Sequence, residues 1–235
     1  MRQKSRRSFL ALGISATAGI AAWNWLTSRS LVGGVPYPLR HVLEFNEALA
    51  ARCFDDSRLA PTFPREMARE PRVNGGEGLP GGFDPRTWRL QVVGAGEPRT
   101  LTLDDIQGLP RVEMTTELKC IEGWSVIVNW AGCRLSDFAA AYNPATRNVR
   151  YVGLATPDDG YYVGMDMPSA LHPQTLLCYG MNGEPLSIEH GAPLRLVTAV
   201  KYGIKSIKRI GRITFTDERP RDFWAERGYD WYAGH

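Results

Sequence analysis

The sequence predicts a single mixed, β-rich α+β domain behind an export segment. Three observations carry that expectation. The 235 residues include 24 Gly and 16 Pro, which favours short elements and many turns over a helical bundle. Several stretches alternate apolar and polar residues at strand period. Roughly 200 residues follow the apolar N-terminus, enough to bury one sizeable core.

Taken in chain order, Ser5-Arg6-Arg7-Ser8-Phe9-Leu10 reads as a twin-arginine signal, with an apolar run from Leu10 to Leu26 behind it. The basic pair stays on the cytoplasmic side while the apolar run inserts. The expected location is therefore periplasmic, with residues 1–30 either cleaved or retained as a membrane anchor. Residues 31–82 read as an irregular N-terminal extension with a short helical stretch near Val42–Asn46. Arg72-Val73-Asn74-Gly75-Gly76 is rich in turn formers. The domain proper is expected over 83–235.

Within that domain Trp88–Val92 alternates like a half-buried strand, and Leu101–Ile106 reads as a strand running into a helix with acids in its first turn. Val112–Lys119 alternates again and delivers Cys120 at its end. Ser136 is placed to cap a helix through Tyr142. Tyr151–Leu154, Leu176–Tyr179, Leu194–Thr198 and Ile204–Phe215 read as further strands, and Asn182-Gly183 marks a hairpin.

Composition excludes several functions. A net charge of +3 and no interleaving of aromatics with basic runs leave no nucleic-acid partner to expect. Cys53, Cys120, Cys133 and Cys178 form no CxxC and no haem-attachment motif, and their spacing is unlike a dense disulfide framework. Four histidines (His41, His172, His190 and His235) do not provide a multi-histidine metal cage.

Two windows carry chemistry. In Glu117-Leu118-Lys119-Cys120-Ile121-Glu122-Gly123-Trp124-Ser125, a cysteine at a strand end can turn its sulfur into a cavity. Lys119 would favour the thiolate that a nucleophile or soft-metal ligand needs. A buried structural cysteine is the competing reading. The second window is His190-Gly191-Ala192-Pro193-Leu194-Arg195, followed by Lys201-Tyr202-Gly203-Ile204-Lys205-Ser206-Ile207-Lys208. Arg195 can grip a phosphate with two prongs while Lys205 and Lys208 add point charges. A solvated basic strand is the alternative. No Gly-rich nucleotide turn is present.

Together these windows resemble the sulfite-oxidase family of molybdoenzymes. Cys120-Ile121-Glu122-Gly123-Trp124-Ser125 looks like the family's metal-binding motif, nearest to that of the exported protein-methionine-sulfoxide reductase catalytic subunits. His172-Pro173-Gln174-Thr175-Leu176, the Gly191–Arg195 segment and Lys201–Lys208 follow in the order of that branch's later motifs. The resemblance runs from about Trp88 to Phe215. It implies a sulfite-oxidase-type molybdopterin-binding fold and a mononuclear molybdenum on molybdopterin, with Cys120 as ligand and catalytic residue. It further implies cofactor contacts from Thr156, His190, Arg195, Ser206, Ile207 and Lys208, with Asn74 a weaker N-terminal candidate. Tyr161 is expected near the substrate face or, alternatively, closing the core.

The implied reaction is oxygen-atom transfer, with an S-oxide or N-oxide such as methionine sulfoxide as the small-molecule or protein-bound substrate. Oxidation of sulfite or a related anion, and a non-enzymatic exported binding module, are the competing readings. With no haem motif in the chain, electrons would pass through a separate membrane haem or quinone-linked subunit. The branch's Pro-Trp is replaced here by Ala199-Val200, and Thr156 to Tyr161 is short; both bear on substrate choice. The tail after Phe215 is too short for the dimerisation domain of sulfite oxidases, so a monomer is expected.

Overall fold

The computed structural model describes residues 2–73, 76–94 and 96–234. Helix α1 (Arg2–Thr27) contains a stretch, Arg6–Thr27, long and apolar enough to cross a membrane, and this stretch is exposed. A small hairpin, β1 (Leu31–Val32) and β2 (Val35–Pro36), leads into α2 (Tyr37–Cys53). This 17-residue helix corrects the expectation of a largely irregular segment. The face it turns inward is Arg40, Leu43, Glu47 and Ala50, whereas Val42, Phe45 and Leu49 stay exposed. Charged residues on the buried face and apolar ones outside reverse the pattern by which a helix is normally recognised.

The remaining elements follow in order: β3 (Leu90–Val93), β4 (Arg99–Leu101), α3 (Leu103–Gln107), β5 (Arg111–Lys119), β6 (Ser125–Arg134), α4 (Leu135–Tyr142), β7 (Tyr151–Ala155), β8 (Tyr162–Asp166), α5 (Met167–Ala170), β9 (Thr175–Met181), β10 (Glu184–Pro185), β11 (Arg195–Thr198) and β12 (Arg212–Thr216). They form two five-stranded sheets. One runs β10-β9-β6-β5 with β11 also paired to β9; the other runs β4-β3-β12-β7-β8. Only β3 and β12 pair in parallel among the described strands, bringing the start and end of the domain side by side.

Between the sheets lies the main core, in which Leu90, Ile106, Leu135, Phe138, Leu154, Leu177, Leu196 and Ile213 are fully or almost fully buried. Each such side chain contributes about 1.5–3 kcal/mol of transfer free energy. A smaller cluster of Val128, Trp130, Leu176 and Cys178 covers the other face of the first sheet. Buried on both faces, β9 reads as a continuous apolar run without alternation.

Thr102 caps α3 in a reciprocal pair with Asp105. Ser136 does not cap α4: Arg134 occupies the cap position without a side-chain bond, and Ser136 lies inside the helix. The long strand expected over Ile204–Phe215 is a 3-10 turn, Gly203–Lys205, then irregular chain, with β12 only at its end.

Both ends of the chain are fastened to this frame. Residues 54–70 run along β5 and β6, with the Phe63 amide donating to Thr115 (3.0 Å) and the Arg69 amide to Ile127 (2.8 Å). His172, fully buried, accepts from the Gln174 amide at Nδ1, so its Nε2 donates to the Arg58 carbonyl at 3.2 Å. Gln174 pairs with both backbone groups of Ala60. The C-terminal tail is held by an ion pair between Lys205 Nζ and Asp222 (2.5 Å), both almost fully buried. Lys205 also donates to the Gly164 carbonyl at 2.8 Å, and Asp222 accepts from the amides of Gly164 and Ala225. Lys205, expected to offer charge to a phosphate, is thus committed to the tail.

Removing one partner of a buried pair leaves the other charge uncompensated, which costs about 3–5 kcal/mol. Asp222→Ala is expected to lose stability on that scale in urea denaturation, and Lys205→Met combined with Asp222→Leu to recover most of it. A loss under about 1 kcal/mol in the single variant would mean that the pair does not fasten the tail.

Candidate active site

The β5–β6 hairpin pairs as far as Lys119 and Ser125 and leaves Cys120 as the first residue of its loop. The loop closes through the Cys120 amide donating to Trp124 (2.9 Å) and the Gly123 amide donating to Cys120 (3.2 Å). The Trp124 indole donates to Glu122 at 2.9 Å and stiffens the turn. Cys120 is half-buried and lines a cavity of about 290 Å³. Lys119, expected to favour the thiolate, does not line it, and its ammonium stands 3.9 Å from Glu117.

Arg195, Ser206, Ile207 and Lys208 line the same cavity, with Gly203 and Ile204 beside them. Arg195, at the start of β11, is 3% exposed. It donates to the carbonyls of His190 (3.1 Å) and Ser206 (3.3 Å) and lies 4.8 Å above the Trp130 ring. Its Nε and the Ser206 hydroxyl are buried with no partner. Buried polar atoms left unmatched beside a cavity are the mark of a site that takes a polar ligand. Burial pulls the Arg195 guanidinium down to about 10. Burial, then the Arg195 charge, brings Lys208 down to about 8. Two cations pressed together in this way favour an anionic occupant.

Tyr161 also lines the cavity. Its hydroxyl donates to the Ile204 carbonyl at 2.6 Å, and burial, with Asp222 nearby, holds its proton well above the usual phenol range. Thr156 and His190 do not reach the lining. Thr156 Oγ1 donates to Asp158 (2.6 Å) and accepts from the Tyr161 amide (3.1 Å), so it sets the turn that presents Tyr161. A Cβ on Gly78 would stand 2.4 Å from the Thr156 methyl, so the 77–79 turn seals that threonine from outside. His190 is buried with Nε2 3.5 Å from Glu70, and burial, then Arg195 and Lys208, disfavours its protonation. It serves the site through its carbonyl, which orients Arg195. Asn74 lies outside the described residues.

Sequence reasoning missed the third wall. Trp224 and Tyr229 of the tail line the cavity, edge to face at 5.3 Å, as do Glu77 and Ile121. Five aromatics between Phe223 and Tyr232 are a density unusual for a solvated tail, and that was the available signal. A second, more open cleft of about 460 Å³ lies against β7 and β12. Its arginines, Arg212, Arg219 and Arg221, are paired with Asp159, Glu47 and Glu226, which leaves no cation to draw a ligand.

Residues 77–224 match the family described as the oxidoreductase molybdopterin binding domain. The chain belongs to this family. It is a molybdopterin-dependent oxidoreductase, and its cofactor is molybdenum on molybdopterin. Its relatives include the protein-methionine-sulfoxide reductase catalytic subunit MsrP of Campylobacter jejuni, 31% identical over 98% of this chain and 80% of that protein. MsrP of Ralstonia nicotianae is 33% identical over 97% of this chain and 74% of its own length. The crystal structure of the sulfane dehydrogenase SoxCD from Paracoccus pantotrophus shares the fold at TM-score 0.53 and 18% identity, over 70% of this chain and 46% of that one. This chain therefore spans less than half of that structure.

The donor set fits the family's cofactor: one half-buried thiol, a buried guanidinium with an unused N–H, a buried hydroxyl and a lysine. Among the described residues no three His, Cys, Asp or Glu side chains converge to hold a metal. With Lys208 near 8 in the folded chain and 10.5 when unfolded, the unfolded state binds more protons between those values. Lys208 should therefore contribute a gain in stability to the cofactor-free protein as pH rises through that window, beside Lys201, which burial lowers to about 7. Thermal melts should show stability rising less steeply with pH in Lys208→Met than in the wild type; an equal slope would assign the whole effect to other groups.

Proposed function

We propose that this protein is the catalytic subunit of an exported S-oxide reductase that holds molybdenum through Cys120. The supporting observation is the cavity itself: a half-buried cysteine, unmatched Arg195 and Ser206 donors, and an aromatic wall of Trp224 and Tyr229 share one space. Cys120 would supply the thiolate ligand. Arg195, Ser206 and Lys208 would hold the anionic part of the cofactor, and the Ile207 backbone stays fixed by the Leu196 amide at 2.9 Å. Bound there, the cofactor supplies oxygen-atom transfer coupled to two-electron redox chemistry.

The chain's own residues set which substrate approaches. The indole and phenol faces suit the apolar groups flanking a sulfoxide sulfur, a mode open to methionine sulfoxide. Glu77 and Glu122 also line the cavity. Two carboxylates repel a sulfite dianion, which weighs against the oxidase reading. Tyr161 keeps its proton and holds the Ile204 segment, so its role is to shape the wall. The reaction consumes two electrons and two protons, converting sulfoxide to sulfide and water. The electrons come from a separate membrane subunit carrying haem or linked to quinone, and the product is released in the periplasm.

The test is to make the protein in a cofactor-producing host. About one molybdenum per wild-type chain is expected, lost in Cys120→Ser. With a reduced viologen dye as electron donor the wild type should reduce methionine sulfoxide, and with ferricyanide as electron acceptor it should leave sulfite unoxidised. Full metal content in Cys120→Ser would refute the ligand assignment, and faster sulfite turnover would refute the substrate class. Export has its own test. Arg6→Lys with Arg7→Lys should strand the folded, metal-loaded protein in the cytoplasm on fractionation; undiminished periplasmic protein would rule out the twin-arginine route.

A further inference from the structure

We propose that Arg40, on α2, is the positioning residue for the aromatic wall of the cavity and thereby a determinant of which S-oxides enter. The substrate half of this inference rests on the reductase reading above; the positioning half does not.

Arg40 is 9% exposed, and the four acceptors it reaches are all backbone carbonyls. Its Nε donates to Val32 at 3.1 Å. One terminal nitrogen donates to Gly33 (2.5 Å) and Ala225 (2.8 Å), and the other to Tyr229 (3.2 Å). Two acceptors belong to the β1–β2 turn and two to the tail, so one planar fork spans the gap between them. Guanidinium N–H groups point in fixed directions, and the fork sets angle as well as distance.

The two tail carbonyls bracket the wall. Ala225 follows Trp224 directly, and Tyr229 is the other ring of the wall; the Tyr229 amide also donates to the Trp224 carbonyl at 3.0 Å. Phe223 packs between Tyr161 (5.0 Å) and Trp224 (5.3 Å), tying the wall to the other lining tyrosine. The approach from outside demands a bare turn. A Cβ on Gly33 would sit 2.4 Å from the Arg40 guanidinium and 3.1 Å from the Ala225 carbonyl, and its φ of +54° already favours glycine. The four hydrogen bonds of Arg40 go to Val32, Gly33, Ala225 and Tyr229 and none to Cys120, Arg195 or Lys208, so loosening them should move the wall and leave metal binding alone.

The experiment compares wild type, Arg40→Ala, Arg40→Lys, Trp224→Ala and the double variant Arg40→Ala/Trp224→Ala as metal-loaded full chains. Hydrogen exchange is read first. Arg40→Ala should speed exchange of the 225–229 amides about tenfold or more while β5 keeps its protection. Kinetics follow with methionine sulfoxide and a bulkier aryl methyl sulfoxide. KM should rise about tenfold with kcat within about twofold and molybdenum unchanged, the pattern of altered binding and not altered chemistry. If Arg40 acts through the wall, adding Arg40→Ala to Trp224→Ala should change KM little further. Arg40→Lys keeps the stem and charge without the fork; it should fold where the alanine variant does not and still show the KM shift in part. Unchanged exchange at 225–229, additive KM effects, or a loss confined to kcat and metal content would overturn the proposal. Metal-loaded wild type that reduces no sulfoxide would sink the reductase reading, while the exchange result would still decide the role of Arg40.

Discussion

The constraint on which the site turns is a positive charge placed where water cannot solvate it. Arg195 is buried beneath the cavity, donates only to main-chain carbonyls and the face of an indole, and keeps one N–H unused. Such an arrangement is unfavourable on its own. It becomes favourable when an anion arrives, and molybdopterin carries a phosphate. The surrounding architecture keeps this charge aimed. β11 is paired along its whole length with β9, the His190 and Ser206 carbonyls fix the fork, and Ile207 is tied to Leu196. The two sheets thus provide a frame for an unfavourable electrostatic arrangement that a bound anion would relieve.

A second charge, Lys205, has the opposite fate. Its neighbours in sequence line the cavity, yet it turns away and pairs with Asp222. The distinction between the two basic residues is one of partner: Lys205 has a carboxylate that arrives from the tail, and Arg195 has none among its hydrogen-bond acceptors. One cation therefore locks the structure and the other awaits a ligand. The same pairing brings Trp224 and Tyr229 to the cavity, so a structural ion pair and the character of the cavity wall have one origin.

Much of this was legible in the sequence. Strand alternation located β3, which turns one face to the main core, and β5, whose Met114 packs in the smaller cluster, and Asn182-Gly183 located the β9–β10 hairpin. The Cys120 and Arg195 windows stood out because their chemistry is local and their order matched a known family. Other features were hidden for physical reasons. α2 turns Arg40 and Glu47 inward with Leu43 and leaves Val42, Phe45 and Leu49 exposed, which blurs the usual signal. The segment after Lys201 looks like a strand but spends its backbone on a 3-10 turn that aims Ser206 and Lys208. Lys119 and Lys205 looked equivalent to Lys208, and only the three-dimensional partners, Glu117 and Asp222, separate them. Contacts across the whole chain, such as Arg40 with Tyr229, leave no trace in local pattern.

The late position of the tail in the chain has a consequence for the order of events in the cell. Cys120, Tyr161, Arg195 and Lys208 all emerge from the ribosome before Trp224 and Tyr229. Until Asp222 reaches Lys205, the cavity lacks the side formed by Trp224 and Tyr229. Docking of the tail supplies that side last, so a group too large for the finished opening would have to enter before it.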